Sequence, residues 1–430
     1  MPHDIKATSV LIKMNTNANP TSKTSFDWRL LVAVIFFFYA SFLIIVPEVA
    51  GISRQKLFHF VGVAALEFPL MDLRGVAAWC EASADGVDPA INPTVISLPD
   101  GTSKSNFLMN YSPVVLLLNG VGFSPSSVTG WGCALFFLQM AALLVLCGHA
   151  TLKHAIIWIF LICSPLSILV MERANFDILV FALFVLALIL RRFPLASACP
   201  ILVAAILKFY PAAAFASLWT RGGRLPRGVA IVALLLILGF LFTLKSQLGG
   251  ISSSLIGQCH SAFGCTIIAD LLKNFGVCSE SLFLNLSRTL EIFAVGIGVF
   301  SFVIGFFLSK RRALIVSERG AYAFWLTAPM FLALFILSNQ MDYKWIFLLF
   351  MVPVALEICQ KESGFWRLIV KLWISVVFIY SYWTFFSGEE ALRNAMFKQM
   401  VMWIIFMLSA VMSGALWQSS HEVHGKELNP

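Results

Sequence analysis

Residues 29–47 read RLLVAVIFFFYASFLIIVP, with no charge after Arg29. As a helix, a run of this length crosses the ~30 Å hydrocarbon core of a bilayer. The same signal recurs at about 131–148, 154–171, 175–190, 228–245, 289–309, 320–338, 343–359, 366–386 and 397–417. The whole chain of 430 residues is 59% hydrophobic and 12% charged, whereas soluble domains carry about 25% charged residues. With a mean hydropathy of +0.87, it reads as an all-α polytopic membrane protein of about ten transmembrane helices. The net charge of +8 is that of basic loops at a lipid surface and needs no nucleic-acid partner. Residues 1–28 form a polar tail unlike a signal peptide, so 29–47 reads as a retained anchor.

Lysine and arginine bias sets orientation. Lys23 and Arg29 put the N-terminus on the cytoplasmic side and a large first loop, 48–130, outside. Alternation then places Lys153, Arg191–Arg192, Lys310–Arg312 with Arg319, and Lys361 with Arg367 inside. Residues 195–219 do not fit a simple span, because Arg191–Arg192 precede them and Arg221, Arg224 and Arg227 follow. A broken or re-entrant hairpin turning near Lys208-Phe209-Tyr210-Pro211 satisfies both flanks, since Pro211 interrupts helix bonding. The short run 112–124 reads as a second half-helix. The division is a cytoplasmic tail 1–28, a membrane domain 29–418 and a cytoplasmic tail 419–430. No repeat of 20–50 residues or pair of inverted halves is evident.

Three polar clusters fall on the outer face of this topology. The first loop carries Asp72, Arg74, Asp85, Asp88 and Tyr111-Ser112-Pro113. A short turn carries Glu172-Arg173-Ala174-Asn175-Phe176-Asp177, and another carries Asp342-Tyr343-Lys344-Trp345. Solvated hairpins and aromatic interface anchors account for such turns equally well at this point. Lys208 lies among Ala205-Ile206-Leu207 and Phe209-Tyr210, so it must snorkel, lose its proton or find an anion. A phosphate suits it, and so does pairing with Asp177 or Glu172. Cys80, Cys259, Cys265 and Cys278 lie on the outer side with no readable pairing, and the Cys259-His260…Cys265 spacing matches no standard zinc pattern.

Gly86-Val87-Asp88-Pro89, Asn110-Tyr111-Ser112-Pro113, Glu172-Arg173-Ala174-Asn175-Phe176-Asp177, Leu207-Lys208-Phe209-Tyr210-Pro211 and Asp342-Tyr343-Lys344-Trp345 occur in that order. This series resembles the GT-C superfamily of integral-membrane glycosyltransferases. It is most similar to the polyprenyl-phosphate-mannose-dependent mannosyltransferases of the glycosyltransferase 87 (DUF2029) group, with departures at Ala90, Ser112 and Ala174, where glycine is common. The resemblance implies an inverting hexosyltransferase that moves a sugar, mannose by this likeness, from a polyprenyl-phosphate donor to a glycan or glycolipid acceptor. The expected setting is the extracytoplasmic face of a bacterial inner membrane or, alternatively, of the endoplasmic reticulum. It implies Asp72 as base and Lys208 and Arg173 on the donor phosphate. Asp88, Tyr111, Glu172, Asn175, Asp177, Tyr210, Tyr343 and Lys344 would line the sugar and acceptor pocket. No cofactor is implied, and the phosphate leaving group does not require a metal. The alternatives are a flippase or transporter of a lipid-linked or small anionic solute, which would use Lys208 and Asp177, and a polymerase or ligase of the O-antigen type.

Overall fold

The computed structural model describes residues 27–428 apart from 64, 67, 99, 106–108, 110, 222, 245–261, 275, 311–313, 338–339 and 384–390. The side chains of 48, 262–263, 340–343, 391–393 and 421–428 also lie outside the described residues, as does nearly all of the 1–28 tail. Among the described residues, the fold is helices and connecting loops apart from two short antiparallel pairs. These are β1 (Val95–Ser97) with β2 (Ser103–Ser105) and, in backbone pairing, β3 (Ala262–Phe263) with β4 (Gln340–Met341).

Six helical stretches among the described residues are long and apolar enough to cross a membrane. They lie in α1 (Arg29–Ala50), in α4 (Val128–Cys147) with the 3₁₀ turn before it, and in α10 (Arg224–Thr243). The others lie in α12 (Glu280–Ser309), α13 (Glu318–Leu337) and α16 (Ala391–Leu428). A seventh is the pair α5 (Leu152–Ile162) and α6 (Pro165–Arg173), bent by 53°. The bend is set by Ser164-Pro165, because the residue before proline avoids the helical region, and Ser164 sits at ψ 153°. Tyr382, which caps α15 (Phe365–Ser381), donates from its hydroxyl to the Phe160 carbonyl near this break at 2.7 Å. The remaining apolar runs are shorter or broken helices. Run 175–190 becomes α7 (Asp177–Ile189), and 343–359 divides into a 3₁₀ helix (Asp342–Met351) and α14 (Val352–Lys361). Counting apolar residues does not register such breaks, so the sequence suggests ten crossings where six to seven helical stretches meet the length.

Residues 195–219 form α8 (Pro194–Lys208), a 3₁₀ helix (Tyr210–Phe215) and α9 (Ala216–Trp219), with Phe209 between the first two at φ 57°, ψ −53°. The 3₁₀ segment is in contact with α8, so the helix is broken at the stretch where the sequence suggests a turn. The described residues of the 48–130 loop form α2 (Arg54–Phe60), α3 (Met71–Ala84), the β1–β2 hairpin and a 3₁₀ helix (Pro113–Val121). The other short helix, α11 (Ile267–Asn274), packs on α12 and α16.

The innermost layer is the 342–361 segment, whose residues from Trp345 to Val352 are all buried, with α6, α7, α13 and α15 around it. Around this core, α1, α10 and α12 turn apolar faces outward, among them Phe38 and Ile44, Leu235 and Leu238, and Ile292 and Phe300. A surface of this kind is at rest only against hydrocarbon. The polar groups divide between the two ends of the bundle. At one end Asp27 binds the Ala150 amide at 3.2 Å, His154 meets Gln360 at 2.7 Å, and Glu357 accepts from the Ser317 amide at 2.6 Å. The candidate site is at the other.

Helices α12 and α16 approach so closely that a Cβ on Gly305 would lie 1.9 Å from the Val411 carbonyl oxygen, and one on Gly414 1.9 Å from that of Phe302. Backbone cannot yield as a side chain can. Gly414→Ala should therefore lower stability by about 3 kcal/mol, seen as a fall in melting temperature in detergent. Gly296→Ala, on the same helix as Gly305 but with nothing within 4 Å, should leave melting unchanged or slightly raised.

Candidate functional site

Four helix ends meet here, three of them carrying charges that suit the helix dipole. Asp72 lies in the first turn of α3 and Asp177 in the first turn of α7, where carboxylates are favoured. Lys208 lies in the last turn of α8, where cations are favoured. Glu172, in the last turn of α6, has the opposite sign from the one that position prefers. Two arginines hold it: Arg54 Nη2 at 3.2 Å from Oε1 and Arg173 Nε at 3.2 Å from Oε2.

Asn175 joins the parts. Its Nδ2 donates to Asp72 Oδ2 at 2.6 Å, and its Oδ1 accepts from the Asp177 amide at 2.9 Å and from Lys208 Nζ at 2.6 Å. Lys208 Nζ also reaches Asp177 Oδ1 at 2.7 Å, and the Tyr210 hydroxyl donates to that same oxygen. The side chains of Lys208 and Asp177 are 6% and 0% exposed, so each supplies the countercharge without which the other could not be buried. The ammonium stands 4.3 Å above the Tyr111 ring, which is packed edge-on against Trp79 and Phe176. Lys344 Nζ lies 4.7 Å over the Tyr210 ring. The Ser112 amide donates to the Leu207 carbonyl, docking the first loop onto the end of α8.

Burial lifts the Asp72 carboxyl above its ordinary value. Arg173, the Asn175 hydrogen bond and Lys208 pull it back down, and Asp177 adds to the rise. Burial, then the charges of Asp72 and Asp177, raise the Tyr111 phenol well above 10, so it stays neutral.

Among the described residues, only three other than glycine have positive φ: Leu70 (61°), Ala174 (47°) and Phe209 (57°). Each stands within two residues of a site side chain: Leu70 before Asp72, Ala174 before Asn175, and Phe209 between Lys208 and Tyr210. A left-handed residue with a Cβ costs ~1–2 kcal/mol, and such strain gathers where geometry is functional. Leu70 is also seated by Gly132 of α4, where a Cβ would lie 2.6 Å from Leu70 Cδ1.

Thus Asp72, Tyr111, Arg173, Glu172, Asn175, Asp177, Lys208, Tyr210 and Lys344 come together from five separate parts of the chain. Asp88 is used differently. Its Oδ1 accepts the Ala90 amide at 2.9 Å, so this carboxylate closes its own Asp-Pro turn instead of reaching the cluster. The side chain of Tyr343 lies outside the described residues. Lys208 meets Asp177, the protein anion that competes with phosphate for its charge. Two contributors carry no signal in the sequence pattern: Arg54, in a short helix capped by Ser53, and Trp79, behind Tyr111. The thiols of Cys80, Cys265 and Cys278 are free, and Cys259 and His260 lie outside the described residues. Comparisons with protein-family models, curated proteins and solved structures find no match for this chain.

Ala174→Gly should raise stability by about 1 kcal/mol, because relief of the left-handed strain outweighs the added freedom of the unfolded glycine. No change in thermal unfolding would mean that Ala174 bears no strain. For the buried pair, Lys208→Met alone should cost about 3–5 kcal/mol by stranding Asp177. The double change Lys208→Met/Asp177→Leu should recover most of that loss in a double-mutant cycle.

Proposed function

We propose that the protein is an inverting glycosyltransferase that takes its sugar from a polyprenyl-phosphate donor, with Asp72 as the general base. One observation carries the reading. In a chain whose helices turn apolar faces outward, a half-buried carboxylate is held by an oriented hydrogen bond within a cluster of fixed cations at one end of the bundle. An amphiphilic donor fits this setting, with its tail along the apolar faces and its phosphate and sugar at the polar end. By the resemblance, mannose is the sugar and a glycan or glycolipid the acceptor. The distribution of basic residues supports an extracytoplasmic face for the site.

In the reaction, the acceptor hydroxyl oxygen forms a bond to the anomeric carbon from the face opposite the phosphate. The bond from that carbon to the phosphate oxygen breaks, and its electron pair leaves with the polyprenyl phosphate. The acceptor proton passes to Asp72. Asn175 fixes Oδ2 of that carboxylate, and the Lys208–Asp177 pair fixes Asn175. The cations Arg173, Lys208 and Lys344 favour the charge that develops on the leaving phosphate.

A second reading, transport of a lipid-linked or small anionic solute, draws on one specific feature: Lys208 and Asp177 form a buried pair of the sort that moves with a transported ion. Solute flux in proteoliposomes without sugar transfer would favour it.

Transfer of labelled mannose from polyprenyl-phosphate-mannose by the purified protein tests the proposal. Asp72→Asn keeps shape and removes the base, so transfer should fall ~10²–10⁴-fold with donor binding intact. Because the base must be ionised and its carboxyl is raised by burial, kcat/KM of the wild type should fall as pH drops through a value above the ordinary aspartate range. Equal transfer by wild type and Asp72→Asn, or an acid limb at or below that range, would remove Asp72 from the role.

A further inference from the structure

We infer that Arg54, paired with Arg173 across Glu172, is the seat of the lipid phosphate. The inference rests on the lipid-phosphate donor proposed above and moves the main phosphate contact away from Lys208. Lys208 already gives its charge to Asp177 and further hydrogen bonding to Asn175. Arg54 is differently placed. One end of its guanidinium, Nη2, lies on Glu172 Oε1, while Nη1 is buried with no hydrogen-bond partner among the described residues. A buried N–H left in this way is costly unless something accepts from it, and the planar fork of arginine matches two oxygens of a phosphate.

Charge points the same way. Glu172 is fully buried and lies against two arginines; the trio has one net positive charge, and since Arg173 also acts on Asp72, Arg54 is the arginine turned away from the proposed base. Arg54 is held against the Phe58 ring at 4.7 Å, which fixes the direction of the fork. Its helix is also bordered by apolar side chains turned outward, Val49 at 81% and Phe60 at 79% exposed. A cation set in an apolar surface fits an amphiphilic anion, whose hydrocarbon covers Val49 and Phe60 while its phosphate meets Arg54. An inorganic anion would gain nothing from those neighbours.

The test is equilibrium binding to the full chain in phosphatidylcholine nanodiscs, with three probes: undecaprenyl phosphate, undecaprenol and inorganic phosphate. The wild type should bind undecaprenyl phosphate well and the other two far more weakly. Arg54→Gln should weaken the undecaprenyl phosphate interaction about 10–100-fold, with little change for undecaprenol. Since Arg54→Gln strands Glu172 and risks the fold, Arg54→Gln/Glu172→Gln is measured beside it. That variant should restore thermal stability without restoring phosphate binding. If it restores both, Arg54 is only the structural partner of Glu172 and the inference fails while the glycosyltransferase reading stands. Inorganic phosphate bound as tightly as the lipid would overturn the amphiphile assignment. Wild type that binds undecaprenyl phosphate through Arg54 yet transfers no sugar would uphold the inference and overturn the proposed function. Wild type that binds no undecaprenyl phosphate would overturn both.

Discussion

The ammonium of Lys208, closed between Asp177 and Asn175, fixes where the separate parts of the chain meet. In apolar surroundings neither the lysine nor the aspartate can be charged alone, so the end of α8 and the start of α7 are tied together. Asn175 extends the tie to Asp72, and the Tyr111 ring under the ammonium brings in the loop that follows α3. Around this centre, the left-handed residues Leu70, Ala174 and Phe209 are the local cost of aiming the side chains, tolerated because the packing beyond them is dense.

The two ends of the bundle are built on different principles. At the end carrying Asp27, His154 and Glu357, the polar contacts are local ties between loops and helix ends, and they close the bundle. At the site end, the cations Arg54, Arg173, Lys208 and Lys344 outnumber the carboxylates Asp72, Glu172 and Asp177 by one even with Asp72 ionised, so the cluster retains a preference for an anion. A purely structural network would be expected to neutralise itself more fully. That excess of cations, beside an outward apolar surface, is the physical basis for reading the site as one that receives a lipid phosphate.

Much of this was legible in the sequence, and what was hidden has identifiable causes. Composition and the run 29–47 are enough for a helical membrane fold. The break at Phe209 was legible from Pro211, because proline cannot continue the hydrogen bonding of the preceding helix. Glu172 to Asp177 and Lys208 stand out because ionisable groups are rare in such runs. The breaks at Ser164-Pro165 and within 342–361 escape a count of apolar residues, since a broken helix is as apolar as a straight one. Asp88 misleads because an aspartate before proline looks the same whether it lines a pocket or closes a turn. Arg54 carries no motif; only the folded chain shows it facing Glu172 from 118 positions away.

In the proposed function, a lipid-linked sugar is bound with its reacting carbon at Asp72. An experimental structure in a lipid bilayer with a non-hydrolysable polyprenyl-phosphate sugar bound tests this most directly. The expected result is the phosphate against Arg54 and Arg173, the anomeric carbon toward the Asp72 carboxylate, and the prenyl chain over Val49 and Phe60. Occupancy at the opposite end of the bundle, near Arg29 and Arg319, or a sugar turned away from Asp72, would contradict it.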